Sequence, residues 1–192
     1  MKYSLDDLLQ MNVSWQETDF LFFWGHANRT EKLAKSCLSQ WYPASFIVDG
    51  AYYNCAEQYM MAEKARLFGD EAVRSQIFSE YHPMAIKKLG RKVRNYDDAV
   101  WKARRFDVVV EGNMAKFSQN SKLGDFLLGT GEKILVEASS NDNVWGIGLD
   151  ENSAEACCPR KWKGTNLLGF ALMEVRDRLR SDEIQSNPPL NS

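Results

Sequence analysis

The stretch Asn54-Cys55-Ala56-Glu57-Gln58-Tyr59-Met60-Met61-Ala62-Glu63-Lys64-Ala65-Arg66-Leu67-Phe68-Gly69 decides how this chain is read. It predicts a helix from Cys55 to about Phe68, with Asn54 placed to cap it and Gly69 to stop it. Glu57 and Lys64 stand seven residues apart in that helix. Seven steps of about 100° return to nearly the same face, about 10 Å along the axis. Met60 and Met61 lie between them, so a carboxylate and an amine flank an apolar strip suited to a pocket wall. Two plainer readings compete. Asn54-x-x-Glu57 fits a capping box, in which Glu57 only ties off the helix start. Lys64 fits a solvated helix lysine.

Helices continue downstream. Asp70 can cap one through Tyr81. Pro83 opens a short third helix and Gly90 stops it. Asp97 caps a long helix from Asp98 to about Ser118. Its apolar residues Val100, Trp101, Phe106, Val110, Met114 and Phe117 fall near helical spacing. Leu123 to Leu128 is a further short helix, ended by Gly129 and Gly131. Thr165 or Asn166 opens the last helix, whose apolar face is Leu167, Leu168, Ala171, Leu172, Val175 and Leu179. Strands are few: Phe20–Trp24, Phe46–Val48 turning at Asp49-Gly50 into Tyr52-Tyr53, and Ile134–Val136. The expected class is α+β, mainly helical with a small sheet, in a single domain. The regular alternation of a doubly wound fold is missing. Residues 1–19 read as an N-terminal extension, 20–180 as the domain and 181–192 as a disordered tail.

Composition narrows the function classes. At 192 residues the chain can bury a core without a metal or disulfide staple. Its net charge of −2 excludes nucleic-acid binding through bulk positive charge. No apolar run reaches the length of a membrane span, and the start carries two Asp before any apolar run, unlike a secretory signal. Cys37, Cys55, Cys157 and Cys158 show no C-x-x-C spacing, and His26 and His82 have no partner at zinc-ligand spacing. Reduced thiols in a cytoplasmic protein, with no metal and no cofactor, are the expectation. There is no G-x-G-x-x-G, no P-loop and no G-x-S-x-G.

Two further segments carry chemistry. Asn141-Asp142-Asn143-Val144-Trp145-Gly146-Ile147-Gly148 follows a predicted strand. Glycines there admit a close backbone approach, and an indole can stack on a planar ring; a buried anchor for the loop is the plainer alternative. Lys87, Lys88, Arg91, Lys92 and Arg94, followed by Lys102, Arg104 and Arg105, form a basic run in a slightly acidic chain. It reads either as a solvated face or as a phosphate site. The remaining tryptophans, Trp15, Trp24, Trp41 and Trp162, default to core packing.

Taken in order, these motifs resemble the NADAR superfamily, which includes the riboflavin-biosynthesis-intermediate N-glycosidases. Glu57-x-Tyr59 with Lys64 resembles its E-x-Y-x-x-x-x-K helix, and Leu89-Gly90-Arg91 its L/M-G-R. Trp101 matches its lone helix tryptophan and Lys116-Phe117 its K-F. Leu135-Val136-Glu137 with Asp142-x-x-Trp145-Gly146 matches L-V-E…D-x-x-W-G. Gly164-x-Asn166-x-Leu168-Gly169 with Leu172-Met173-Glu174-Val175-Arg176 matches the closing G-x-N-x-L-G…L-M-E-x-R. The likeness spans Phe22 to Arg176. It departs at Leu38-Ser39-Gln40-Trp41-Tyr42-Pro43, where members often show F-S-N-F/W-x-P, and at the extended Asn28–Cys37 stretch before it.

The resemblance implies hydrolysis of an N-glycosidic bond to ribose. Carried onto matching positions, it places the active site on Glu57, Lys64, Trp101, Asp142 and Trp145, with Glu57, Lys64 and Asp142 as the catalytic groups; Arg91 from the basic run, with Gly146 and Asn166 from the matched motifs, joins the two tryptophans as substrate-binding candidates. It also implies that the departing segment lines the pocket mouth. Either Glu57 or Asp142 would stabilise the oxocarbenium-like state or activate water, and the other would protonate the leaving amine. Alternatively Lys64 would form a Schiff base with a ring-opened ribosylamine, which needs a neutral amine that a nearby Glu57 would oppose. Three functions stay open at this point. The first is an N-glycosidase of phosphorylated ribosylamino-pyrimidines. The second is a glycohydrolase removing ADP-ribose from a nucleic-acid base, with nucleic acid a partner only as modified substrate. The third is a non-catalytic ADP-ribose or nucleotide sensor. No membrane partner is expected, and the oligomeric state stays open.

Overall fold

The computed structural model describes residues 1–11, 13–25 and 33–186, so His26 and residues 28–32 of the extended stretch lie outside the description. Among the described residues, seven α-helices and four short strands follow one another. Helix α1 (Leu5–Gln10) is capped by Ser4, whose Oγ accepts the Asp7 N–H. Strand β1 (Phe20–Phe23) precedes the hairpin of β2 (Phe46–Val48) and β3 (Ala51–Tyr53). Then come α2 (Ala56–Leu67), α3 (Glu71–Phe78), α4 (Pro83–Gly90), α5 (Asp98–Gln119) and α6 (Ser121–Leu128). Strand β4 (Ile134–Glu137) and α7 (Leu167–Ser186) close the chain. The mainly helical α+β class expected from the sequence is the class observed.

The strands form two separate pairs. β2 and β3 are antiparallel, joined by Asp49 at φ 50° and Gly50 at φ 76°, the two positive angles that a type I′ turn requires. β1 runs parallel to β4, with Phe20 opposite Ile134 and Phe23 opposite Glu137. The whole run of helices α2 to α6 lies between these partners in sequence. The parallel pair therefore forms only once that run has folded back.

Helix α2 is the hub. It packs on α3, α4 and α5, and nine of its residues, Ala56 to Glu63 and Ala65, are buried. A helix buried all round needs no apolar stripe, which is why its charged residues must be explained one by one. α4 comes close because Gly90 faces Met61: a methyl group at Gly90 would overlap the Met61 sulfur. Gly90 thus closes the α4–α2 contact as the last helical residue, and it is not a left-handed stop.

Several element ends differ from expectation. α3 stops at Phe78, short of Tyr81. α7 runs on through Ser186, into the stretch read as a tail. The N-cap of α2 is Cys55, and the Asn54 N–H is accepted by Gln58 Oε1 at 2.8 Å. The reciprocal bond at this helix start therefore belongs to Gln58, which leaves Glu57 without a capping role.

α7 packs against α5, α6 and β4. Its first turn lies so near β4 that a Cβ at Gly169 would be driven into the Leu135 carbonyl oxygen, a backbone atom that cannot swing aside. Gly169→Ala is expected to cost more than about 3 kcal/mol of stability, as overpacking against fixed backbone does. A urea melt measures it directly.

Candidate active site

One large cavity, about 1060 Å³, opens between α2, α4, α5 and the end of β4. Glu57, Arg91, Trp101, Asp142 and Trp145 all line it. The structure therefore brings together five of the eight residues singled out above.

Glu57 sits in the first turn of α2 and is only 3% exposed. Its N–H is accepted by the Gln40 carbonyl at 2.9 Å, so the backbone there is anchored to the segment that precedes the hairpin. Its Oε1 is buried with no hydrogen-bond partner. Burial pushes the carboxyl up to about 7. Lys87 and a hydrogen bond from the Trp41 side chain resist that rise, Asp142 adds to it, and Arg91 opposes it.

Asp142 is differently placed. Its Oδ1 accepts the N–H groups of Val144 at 3.0 Å and Trp145 at 2.8 Å, and Oδ2 lies 3.8 Å from Lys87 Nζ. The carboxylate thus shapes its own turn and fixes the approach of Trp145. Trp145 is half-buried, with the Arg105 guanidinium 6.0 Å from its ring centre. Trp101, 7% exposed on the first turn of α5, forms another wall.

Lys64 lies behind that wall and outside the cavity lining. Its Nζ donates to the Gly90 carbonyl at 3.0 Å and sits 4.3 Å from the Tyr96 ring centre and 5.8 Å from that of Trp101. Burial and then Arg91 hold its amine below the usual lysine range. The expectation that Glu57 keeps Lys64 charged is overturned: desolvation and a like charge decide its state.

Gly146 and Asn166 are not brought to the cavity. Gly146 packs its Cα so close to β4 that a Cβ would lie 2.7 Å from the Glu137 carbonyl. Asn166 is fully buried, at φ 51°. Its Nδ2 donates to the Leu135 carbonyl at 2.9 Å and its Oδ1 accepts the Glu137 N–H at 3.0 Å. Both residues hold the site's framework.

Other cavity residues stand outside those eight, among them Glu137, Lys87, Trp24 and Trp41. Glu137 lines the cavity with a buried, unpartnered Oε2. Burial pushes it up to about 8, Asp142 and Glu57 push the same way, and Lys87 opposes them. In the sequence it stands within L-V-E, where a single carboxylate ending a strand carries no signal of its own. Lys87 is one of a run, and only packing separates it from its neighbours. Trp24 and Trp41, assigned to the core by default, line the cavity, with Trp24 63% exposed. Trp15 and Trp162 do pack inward, 5.7 and 6.3 Å from the Phe20 ring. Ser39, Gln40 and Trp41 place the departing segment at the cavity, where the resemblance puts it.

The basic run divides. Lys87, Arg91 and Arg105 line the cavity. Arg94 is spent on Asp70, which it meets at 2.8 and 3.1 Å, and Lys102 on Asp98 at 2.7 Å. Three cations, tryptophan rings and buried carboxylates thus meet in one cavity, a set able to stack a planar ring and to pair with an anion.

N-glycosidase R617 of Acanthamoeba polyphaga mimivirus is 45% identical over 166 residues, 84% of this chain and 97% of that protein. N-glycosidase YbiA of Escherichia coli strain K12 is 33% identical over 132 residues, 69% of this chain and 74% of that protein. The NMR structure of E. coli YbiA superposes with a TM-score of 0.72 at 26% identity, covering 95% of this chain and 96% of that one. The NADAR domain profile matches residues 22–180. With the profile covering most of its length and the fold in accord, the chain belongs to the NADAR domain family.

Proposed function

We propose that the chain is an N-glycosidase that hydrolyses the ribose–nitrogen bond of phosphorylated ribosylamino-pyrimidines, early riboflavin intermediates, and so disposes of reactive metabolites. The N-glycosidase names of its relatives support the reaction class. The observation that carries the reading is the Glu57 carboxylate, buried at the wall of a cavity with its Oε1 unpartnered, where tryptophan rings and three cations also face in. Binding alone has no use for a desolvated acid, which weakens the sensor reading.

Bond cleavage builds positive charge at C1 of the ribose and negative charge on the departing nitrogen. Glu57 as carboxylate stabilises the first or takes a proton from attacking water. Trp101 and Trp145 hold the base or the sugar face, and Arg91 with Lys87 takes the phosphate. The four free thiols suit a reducing, cytoplasmic setting. A second reading draws on the cavity volume, about 1060 Å³, at the upper end of ligand pockets. That space suits a dinucleotide-sized substrate, and a glycohydrolase releasing ADP-ribose from a nucleic-acid base fits it.

Purified protein incubated with each substrate type distinguishes the readings. Free base with ribose phosphate supports the first, free ADP-ribose the second, and binding without release in both leaves the sensor. Glu57→Gln is expected to lower turnover about 100-fold or more. Borohydride added during turnover tests Lys64: a ribosyl adduct on that residue supports the Schiff-base route, and its absence from a turning-over enzyme counts against it.

The same substitution should move stability in the opposite direction. The Glu57 carboxyl rises from 4.5 to about 7 on folding, so the unfolded chain gives up this proton first. Stability is therefore lost as pH climbs from the unfolded value through about 7. Gln is neutral throughout and escapes that loss. Glu57→Gln should melt with the wild type near pH 5 and roughly 5 °C or more above it near pH 8.5. A lower melting point at both pH values would restore the capping role.

A further inference from the structure

Glu137 has no task in the reaction as set out so far, yet its backbone is held more closely than that of Glu57 or Asp142, two of the other carboxylates that line the cavity. It ends β4, and its backbone is held on both sides. Asn166 Oδ1 accepts its N–H at 3.0 Å, and its carbonyl accepts the N–H groups of Ser139 and Ile147, both at 3.0 Å. The side chain reaches the cavity, and its buried Oε2 meets no donor. Asp142 contrasts with it at every point. Its Oδ1 accepts two backbone N–H groups, and its Oδ2 lies 3.8 Å from the Lys87 ammonium. Asp142 is therefore occupied in shaping its own turn, whereas Glu137 presents an oxygen that no protein donor engages.

We propose that Glu137, rather than Asp142, is the general acid that protonates the leaving nitrogen, with Glu57 as the carboxylate that receives the proton of water. This assignment rests on the N-glycosidase reading above. As the C1–N bond breaks, its electron pair goes to nitrogen. The nitrogen takes the Glu137 proton and departs as a neutral amine. Water adds to C1, forms the C1–O bond and gives a proton to Glu57. The two carboxyls have then exchanged protonation states, and one proton passed from Glu57 to Glu137 through solvent restores them. The elevated carboxyl of Glu137, raised by burial, Asp142 and Glu57 against Lys87, is consistent with an acid that keeps its proton at neutral pH.

The test uses the full chain with Glu137→Gln and Asp142→Asn, on ribosylaniline 5′-phosphates whose rings run from methoxy- to nitro-substituted. Gln reproduces the neutral shape of the protonated acid, so the variant is expected to fold, and a thermal melt verifies it. Wild-type kcat should vary little with leaving-group basicity. Glu137→Gln should lose about 100-fold or more on the methoxy compound and far less on the nitro compound, which needs little protonation. Asp142→Asn should keep the flat wild-type dependence whatever its absolute rate. On the ribosylamino-pyrimidine itself, the alkaline limb of the kcat profile should disappear in Glu137→Gln and persist in Asp142→Asn.

A uniform loss across the series, a loss below about threefold in Glu137→Gln, or the selective loss appearing in Asp142→Asn overturns the assignment. Failure of the wild type to release ribose phosphate from any ribosylamine instead overturns the N-glycosidase reading, a separate result.

Discussion

The site depends on how the start of α7 is docked. Asn166, in the left-handed region, bridges the carbonyl of Leu135 and the N–H of Glu137 with one side-chain amide. Around it, the N–H groups of Thr165, Asn166, Leu167 and Leu168 are accepted by the carbonyls of Asn143, Gly146, Val144 and Trp145. The donors that a helix start leaves open are thus consumed by the loop that carries Asp142 and Trp145. Each buried bond contributes about 1 kcal/mol, and each one lost would leave a buried polar group unpaired at greater cost. One wall of the cavity is therefore as rigid as the helix that supports it.

The opposite wall is held by different means. Lys116 is fully buried on α5, with Nζ donating to the carbonyls of Cys37 at 2.6 Å and Ser39 at 2.9 Å. Asn113, one turn earlier, donates to Gln40 Oε1 at 2.8 Å. These bonds fasten the segment that delivers Trp41 to the cavity and the Gln40 carbonyl to the Glu57 N–H. Arg176 performs similar work at the far end of β4, donating to Thr130 Oγ1 and the Lys133 carbonyl. Many of the motif residues that carry the resemblance are such clamps, and the carboxylates are what the clamps present. Keeping Glu57 and Glu137 out of water disfavours their ionised forms, so the fold gives up stability where it gains reactive acids.

Much of the fold was legible in the chain itself. Caps at Asp70 and Asp97, Pro83 at a helix start, and the Asp49-Gly50 turn are local devices, read within a few residues, and the helices and hairpin begin where these devices place them. Glu57 with Lys64, and the Asp142–Trp145 loop, were marked by residue types unusual for their surroundings. Less legible were residues whose role depends on partners far away in sequence. Glu137 looks like any acid at a strand end until β4 pairs with β1 and Asn166 grips it. Asn166 and Gly146 look like ligand-contacting loop residues until α7 folds back over them. Trp41 looks like core until Lys116 pins its segment at the cavity.

The sequence by itself determined the helical character, the caps and turns, and through the ordered motifs the family. Local propensity and short-range hydrogen bonding carry that information along the chain. Only the tertiary structure decided which charges are spent and which are poised. Arg94 is neutralised by Asp70 while Arg91 faces the cavity, and Asp142 is held by donors while Glu57 and Glu137 each keep an unpartnered oxygen. The physical reason is that a carboxyl's reactivity is set by water removed and partners supplied, and both are properties of the packed molecule.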